Sequence, residues 1–527
     1  MVLRRDQADG AFDGYSSWAE KPINHDIWTA VEASRAGERR ARFLTNLAGF
    51  EPPGIGPLLG ENFLKRMETM KTTHFGLATP FLHPDRVQAA YDHAEDIRNL
   101  SGQALALAEE AATPDLQAQA GAPPVLPFPG SSRPYYVYRP DDFGGLSLVR
   151  IPLQFVPGET RSGGIRVFRI ARGTGTEELP SGLLDVQLHP DGSVREATVV
   201  FRIGLAPGKG AITWVSRSTS PLATEPDYGL IADEGDRLLR NGLVRVDFDA
   251  DGWPVSLWRS GMDFVGERLI RPGITFQEGF VGPDRLEAAD FSAAVRERGF
   301  LRQIARAGAY QVSCGGNDFA GSADYRFRIY PGLPSLEVQA RVTYPATLDA
   351  CPEAVTEAYP LGVLPNFSAQ TLRVWKHNYF DYTGSYDVSE AQDSLNSHVT
   401  ASWVALSDQR RGLMLAYRAD ELAGLAFCPL KVKEGLSGSL EAVMNPFGSC
   451  HGQMPDHHPE RTGASGLGEA MTLLLGNGFK PSAQAYPGVT QRFSLLVTPY
   501  VGDAPPEGAR STAQSYSYPP GVMALPQ

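Results

Sequence analysis

The feature that most constrains this chain is a change of period. Before residue 113 the apolar side chains recur every three or four positions. After residue 134 they recur mostly every second position. Between lies TPDLQAQAGAPPVLPFPGSSRP, rich in Pro, Gly and Ala. A period near 3.6 specifies helices, and a period of two specifies half-buried strands. A chain that does one and then the other folds as a helical part followed by β parts, because each must bury its own apolar face. The expected fold is multidomain α+β, mainly β. The expected divisions are a helical bundle over 1–112, a Pro-rich linker over 113–134, a small β-sandwich over 135–225 and a large β-sandwich over 226–527.

Three helices are expected in the first part. The first opens at Asn24, a good N-cap with Asp26 in its first turn, and stops near Gly49 and Pro52–Pro53. The second spans about 57–72 with a stripe of Leu59, Phe63, Met67 and Met70. The third spans about 84–112, with Val87, Ala90, Tyr91, Ala94, Ile97, Ala104, Leu107 and Ala108 on its buried face. Short links between three amphipathic helices predict a bundle.

In the β part, IRVFRIARG, LLDVQLHPDG, REATVVFRIGL and AITWVSRS alternate between turn signals. The clearest hairpin is NGLVRVDFDADGWPVSLWR. Asn241–Gly242 turns the chain, one strand alternates, Ala250–Asp251–Gly252 turns it again, and a second strand returns.

The net charge is −12, and the chain has no long Lys/Arg run. An acidic balance without a basic face excludes nucleic acid and anionic membrane as expected partners and suits a neutral ligand such as a carbohydrate. Four cysteines in 527 residues, none in a CxxC pair, do not make a disulfide scaffold. No apolar run is long enough to span a membrane. The opening MVLRRDQADGAFDGY is charged and lacks an apolar core, so no secretory signal is expected and a cytoplasmic location is.

Three stretches carry residue types suited to a site. KTTHFGLATPFLHP places His74 at the break between two helices, as a helix-end histidine meeting carbonyls and the helix dipole, or as half of a site. VWKHNYFDYTGSY is dense in aromatic and polar groups. Trp375, His377, Asn378, Tyr379, Asp381 and Tyr382 could line a sugar groove, rings under a pyranose face and polar groups on its hydroxyls, or pack as strand and turn. PFGSCHGQMPDHHPE gathers Cys450, His451, Asp456, His457 and His458, yet its Gly and Pro content reads as a loop. Ser-His-Asp, phosphate-loop and dinucleotide-loop patterns are absent.

The order of parts, together with several stretches, resembles glycoside hydrolase family 38, the alpha-mannosidase type, from the point where those enzymes leave their catalytic barrel. FDGYSSWAEKPINHDIWTAVEASRAGE is similar to the exit segment, TTHFGLATP to the bundle's His-His-Asp run, and RNGLVRVDFDADGWPVSLWRSGMDF to the opening of the large sandwich. The resemblance implies that the large sandwich is a galactose-mutarotase-like supersandwich. It implies a retaining, metal-dependent hydrolase in the complete protein, with one carboxylate attacking the anomeric carbon and another protonating the leaving group. It also implies that His74 is the bundle's ligand to a divalent metal, usually zinc. This sequence departs from the pattern at Phe75, where the family carries an acid, and at Thr73, where it carries a histidine. The barrel is not found: His83-Pro84-Asp85 and His189-Pro190-Asp191 read as helix-start and turn chemistry. The chain alone is therefore expected to lack the nucleophile, and its partners to be carbohydrate and a missing N-terminal catalytic domain, or a homo-oligomer. Two other readings stand beside this one. One is a non-catalytic carbohydrate-binding or assembly module. The other is a polysaccharide lyase on a helical plus supersandwich scaffold, drawing on Arg373, His377, Asn378 and Tyr379.

Overall fold

The computed structural model describes residues 22–76, 84–123, 130–171, 175–220, 228–233, 237–250, 252–271, 274–276, 279–281, 291–295, 300–314, 317–343, 361–365, 373–377, 383–387, 398–400, 402–418, 425–427, 429–431, 467–473 and 490–526. Among the described residues three helices come first: α1 Pro22–Ala48, α2 Ile55–Gly76 and α3 Pro84–Ala120. A fourth, α4 Glu507–Ser517, lies near the C-terminus, and the rest is mainly antiparallel β. The expected class, helical first and then β, holds.

The bundle corrects two expectations. In α2 the buried positions are Ile55, Leu59, Asn62 and Thr69, whereas Phe63 and Met67 are 51% and 52% exposed. Both sets have helical spacing, so periodicity cannot choose between them. Polar pairing sets the rotation instead. Ser34 of α1 donates to Asn62 Oδ1 at 2.7 Å, and Arg66 lies 2.5 Å from Glu38. Tyr91 of α3, expected inside, is likewise exposed, while Ala94, Ile97, Ala104 and Ala108 are buried as expected.

The second correction concerns α3, which runs on to Ala120 through Pro114, into the stretch read as linker. An interior proline costs about 3 kcal/mol, because it removes one hydrogen bond and crowds the preceding turn. Burial offsets that cost. Ala112, Leu116 and Ala120 extend the stripe of Ala104 and Ala108 onto a sheet face made by Tyr136, Tyr138, Phe168, Trp214 and Met523.

That sheet belongs to the small sandwich. It has five strands in the order Gly521–Ala524, Ser131–Tyr138, Gly210–Arg217, Val167–Ala171, Gly175–Leu179. A three-stranded sheet, Gly145–Gln154, Val194–Leu205, Ser181–Leu188, faces it. In the strand SSRPYYVY, Tyr135 and Val137 point into the sandwich core, and Tyr136 and Tyr138 point at the bundle. Burial on both faces explains an apolar run where alternation would otherwise appear. Gly210 makes room for this packing, since a Cβ there would lie 2.3 Å from the Tyr136 ring.

The outer face of the three-stranded sheet meets the large β body. Leu148, Leu184 and Val200 pack with Phe300, Trp403, Met414, Leu496 and α4. The large body is built on a nine-stranded antiparallel sheet. Its order is Phe291–Val295, Arg302–Cys314, Asn317–Ile329, Leu336–Thr343, Thr490–Val501, Arg411–Tyr417, Trp403–Ser407, Arg373–His377, Thr383–Asp387. A five-stranded sheet carrying the expected hairpin packs on its other face, through Trp253 on Tyr325 and Phe248 on Phe327. The hairpin forms as read, with Arg245–Phe248 paired to Pro254–Arg259. Asn241 uses its whole amide at the first turn. It donates to the Tyr330 and Leu333 carbonyls at 2.8 and 2.7 Å and accepts from the Leu243 and Val244 amides.

The last 20 residues stitch the layers together. Tyr516 and Ser517 bond to the large body, Arg40 of α1 donates to the Pro519 carbonyl at 3.2 Å, and residues 521–524 join the small sandwich as an edge strand. Gln117 of α3 then donates to the Pro526 carbonyl. The stretch 226–527 thus returns across every other part of the fold.

Candidate functional site

His74 occupies the last turn of α2. Eleven residues are close to three helical turns, so the position of His74 falls on the same side of α2 as the exposed Phe63 and Met67. A zinc ion needs about four donors. Among the described residues no three His, Cys, Asp or Glu side chains gather in a metal-holding group. The cluster of Cys450, His451, Asp456, His457 and His458 lies outside the described residues.

Of the aromatic stretch, Arg373, Trp375 and His377 are described, and Asn378, Tyr379, Asp381 and Tyr382 lie outside. The three sit at alternate positions of one strand, hence on one face. That face points inward. Trp375 is half-buried against the cluster that joins the small sandwich, α4 and the nine-stranded sheet. His377 is buried, stacks on Trp403 at 6.3 Å, and its Nδ1 lies 2.7 Å from Ser402 Oγ. A serine beside a histidine invites a nucleophile reading, yet Ser402 is fully buried and no substrate carbonyl could reach it. Its carbonyl accepts a bond from Ser517 Oγ at 2.8 Å, so the group ties α4 to the sheet. Arg373 pairs with Asp503 at 2.5 Å, and Ser407 Oγ donates to the same carboxylate at 2.9 Å.

The strongest electrostatic feature lies on the same sheet face, about four strands away. Glu337 is fully buried. Its carboxylate accepts from the Tyr330 hydroxyl at 2.5 Å, the Tyr516 hydroxyl at 2.8 Å and the Arg150 guanidinium, with Arg328 at 3.6 Å. Burial pushes its pKa up, but Arg150 and Arg328 outweigh burial and hold it at about 2. The Tyr330 hydroxyl is pushed far above its ordinary range, by burial first and then by the Glu337 charge. The members come from the small sandwich (Arg150), the large body (Arg328, Tyr330, Glu337) and α4 (Tyr516). A carboxylate held ionised at neutral pH, fully bonded and out of reach of solvent, is not placed to exchange protons with a substrate. It can fix the angle between the two β bodies.

Sequence reasoning missed this cluster, although a signal existed. Counting outward from the turn at Gly332–Leu333 places Arg328 opposite Glu337, and these two are register partners. Opposite charges on a buried sheet face mark a polar contact between layers.

No protein-family model and no curated protein sequence matches this chain. Among solved structures, an alpha-mannosidase from Enterococcus faecalis is similar over 97% of this chain and 58% of its own length, at TM-score 0.56 and 11% identity. A protein in glycosyl hydrolase family 38 from Enterococcus faecalis is similar over 97% of this chain and 60% of its own length, at TM-score 0.59 and 11% identity. A galactose 1-epimerase from Lactobacillus acidophilus matches 62% of this chain at TM-score 0.30, too low to carry an argument. The chain spans less than two thirds of the two longer structures, and what they share with it is the fold: helices first, then two β bodies.

Proposed function

We propose that this chain is the bundle and C-terminal β portion of a carbohydrate-active protein of the alpha-mannosidase kind. One observation carries the reading: a fold match along 97% of this chain to two structures described as an alpha-mannosidase and a family 38 glycosyl hydrolase. The complete protein would hydrolyse alpha-mannosidic or related bonds with retention, and the nucleophile would lie outside this chain. His74 would be the bundle's donor to a divalent metal, zinc by preference, with the remaining ligands on the catalytic part. In that site zinc would grip sugar hydroxyls. The exposed Phe63 and Met67 support a covering partner on the side of α2 where the position of His74 falls, since apolar groups left at a surface mark a contact face.

The test is turnover of an aryl alpha-mannoside by the protein encoded by the whole reading frame, with and without added zinc. Zinc-dependent release of the aryl group, absent from this chain alone, is the expected result. Glycan binding without turnover supports the binding-module reading instead. Ultraviolet-absorbing products from uronic-acid polymers support the lyase.

A further inference from the structure

The hairpin strand Pro254–Arg259 carries an aromatic group that the core does not use. Val246 and Leu257, on the inner face of its sheet, are fully buried. On the outer face Trp258 is 40% exposed. Its indole N–H donates at 3.0 Å to Ser256 Oγ, two residues back on the same face. That bond ties the edge of the ring to its own strand and leaves the side chain partly open. Ser256 is only 8% exposed on this outer face, as a residue roofed by the ring would be. Ser256 Oγ donates in turn to Asp247 Oδ2 at 2.6 Å, and Arg245 Nε donates to Asp247 Oδ1 at 2.8 Å. Arg245 lies directly opposite Trp258 in the strand register. The result is a flat ring held by a chain of hydrogen bonds, with a guanidinium and a carboxylate at its edge.

We propose that this outer face is a sugar-binding platform, in which the Trp258 ring stacks under the apolar face of a pyranose while Arg245 and Asp247 bond its hydroxyls. The proposal rests on the carbohydrate reading above and adds a second site, on a different element from His74. Three observations support it. Anchoring the ring before a ligand arrives removes part of the ordering cost of binding. An indole offers a large apolar face at low entropy cost. Arg245 and Asp247 cancel each other's charge, so the platform suits a neutral saccharide over a uronic acid or a phosphorylated sugar.

The experiment compares binding of the intact chain, Trp258→Ala and Trp258→Phe to neutral and uronic oligosaccharides immobilised on one surface. Wild type should bind neutral pyranose chains, Trp258→Ala about tenfold or more weakly, and Trp258→Phe in between. A surface position outside the core leaves the fold intact, and near-ultraviolet circular dichroism checks this. As a second readout, the indole N–H resonance lost in Trp258→Phe should shift in wild type on titration with a mannose disaccharide. The idea is overturned if wild type binds no neutral glycan, if Trp258→Ala binds as wild type does, or if that variant only dissolves an oligomer. In the protein encoded by the whole reading frame, turnover of a small aryl mannoside should be unchanged by Trp258→Ala. Loss of turnover in every form with glycan binding kept defeats the hydrolase reading alone. Kept turnover with Trp258-independent binding defeats the platform alone.

Discussion

Replacing Glu337 by glutamine tests the electrostatic seam between the β bodies. The substitution keeps shape and volume but removes the charge facing Arg150 and the almost fully buried Arg328. Breaking a buried pair by neutralising one member costs about 3–5 kcal/mol, because the remaining charge stays desolvated. An independent figure comes from linkage. Arg150 and Arg328, working against burial, take the Glu337 pKa from an ordinary 4.5 to about 2. At about 1.4 kcal/mol per pKa unit this is worth about 3 kcal/mol at neutral pH. The sign follows from a depressed folded value. The stabilisation is complete above the unfolded pKa near 4.5 and disappears as pH falls through about 2. Urea unfolding of wild type and Glu337→Gln should therefore differ by about 3 kcal/mol or more at pH ~7, and the gap should narrow steadily between pH ~4.5 and pH ~2. Equal stabilities at neutral pH, or a gap that does not change with acid, would refute the reasoning.

Three further outcomes are expected. Tyr516→Phe removes one hydroxyl from the same carboxylate and should cost about 1 kcal/mol in thermal unfolding, with the secondary structure unchanged. Deleting residues 519–526 frees an edge of the small sandwich and its tie to α1 and α3, so calorimetry should show the single transition splitting or broadening. Gly412→Ala drives a Cβ to within 2.1 Å of the Tyr500 ring and should destabilise by about 1–3 kcal/mol, whereas Gly204→Ala, with open space, should be near neutral.

Local chemistry made some of this legible in the sequence. The hairpin 245–259 was readable because alternation, Asn241–Gly242 and Gly252 all point to one register, and Gly242 and Gly252 do take the left-handed backbone those turns require. Helix existence was equally plain. The rotation of α2 was not, since 55-59-62-69 and 59-63-67-70 are both helical stripes, and the Ser34–Asn62 and Glu38–Arg66 pairs match the first of them. The end of α3 was misplaced because Pro114 reads locally as a stop, while its cost is offset by burial against tyrosines more than 20 residues away. Of the candidate site, Trp375 and His377 fit either a sugar groove or strand packing in sequence, and the structure places their strand face at the seam between layers. Within the Glu337 cluster only the Arg328–Glu337 pair is local enough to count from the turn, whereas Arg150 and Tyr516 lie at sequence distances over which no pattern reports.

In the proposed function the bundle lends His74 to a metal site serving glycoside hydrolysis. The most direct test is aryl alpha-mannoside turnover by the whole reading frame's product before and after His74→Ala, at saturating zinc. Turnover is expected in the parent and a loss of at least about two orders of magnitude in the variant, with folding intact by circular dichroism. Turnover that is equal in both forms, and indifferent to chelation, would contradict it.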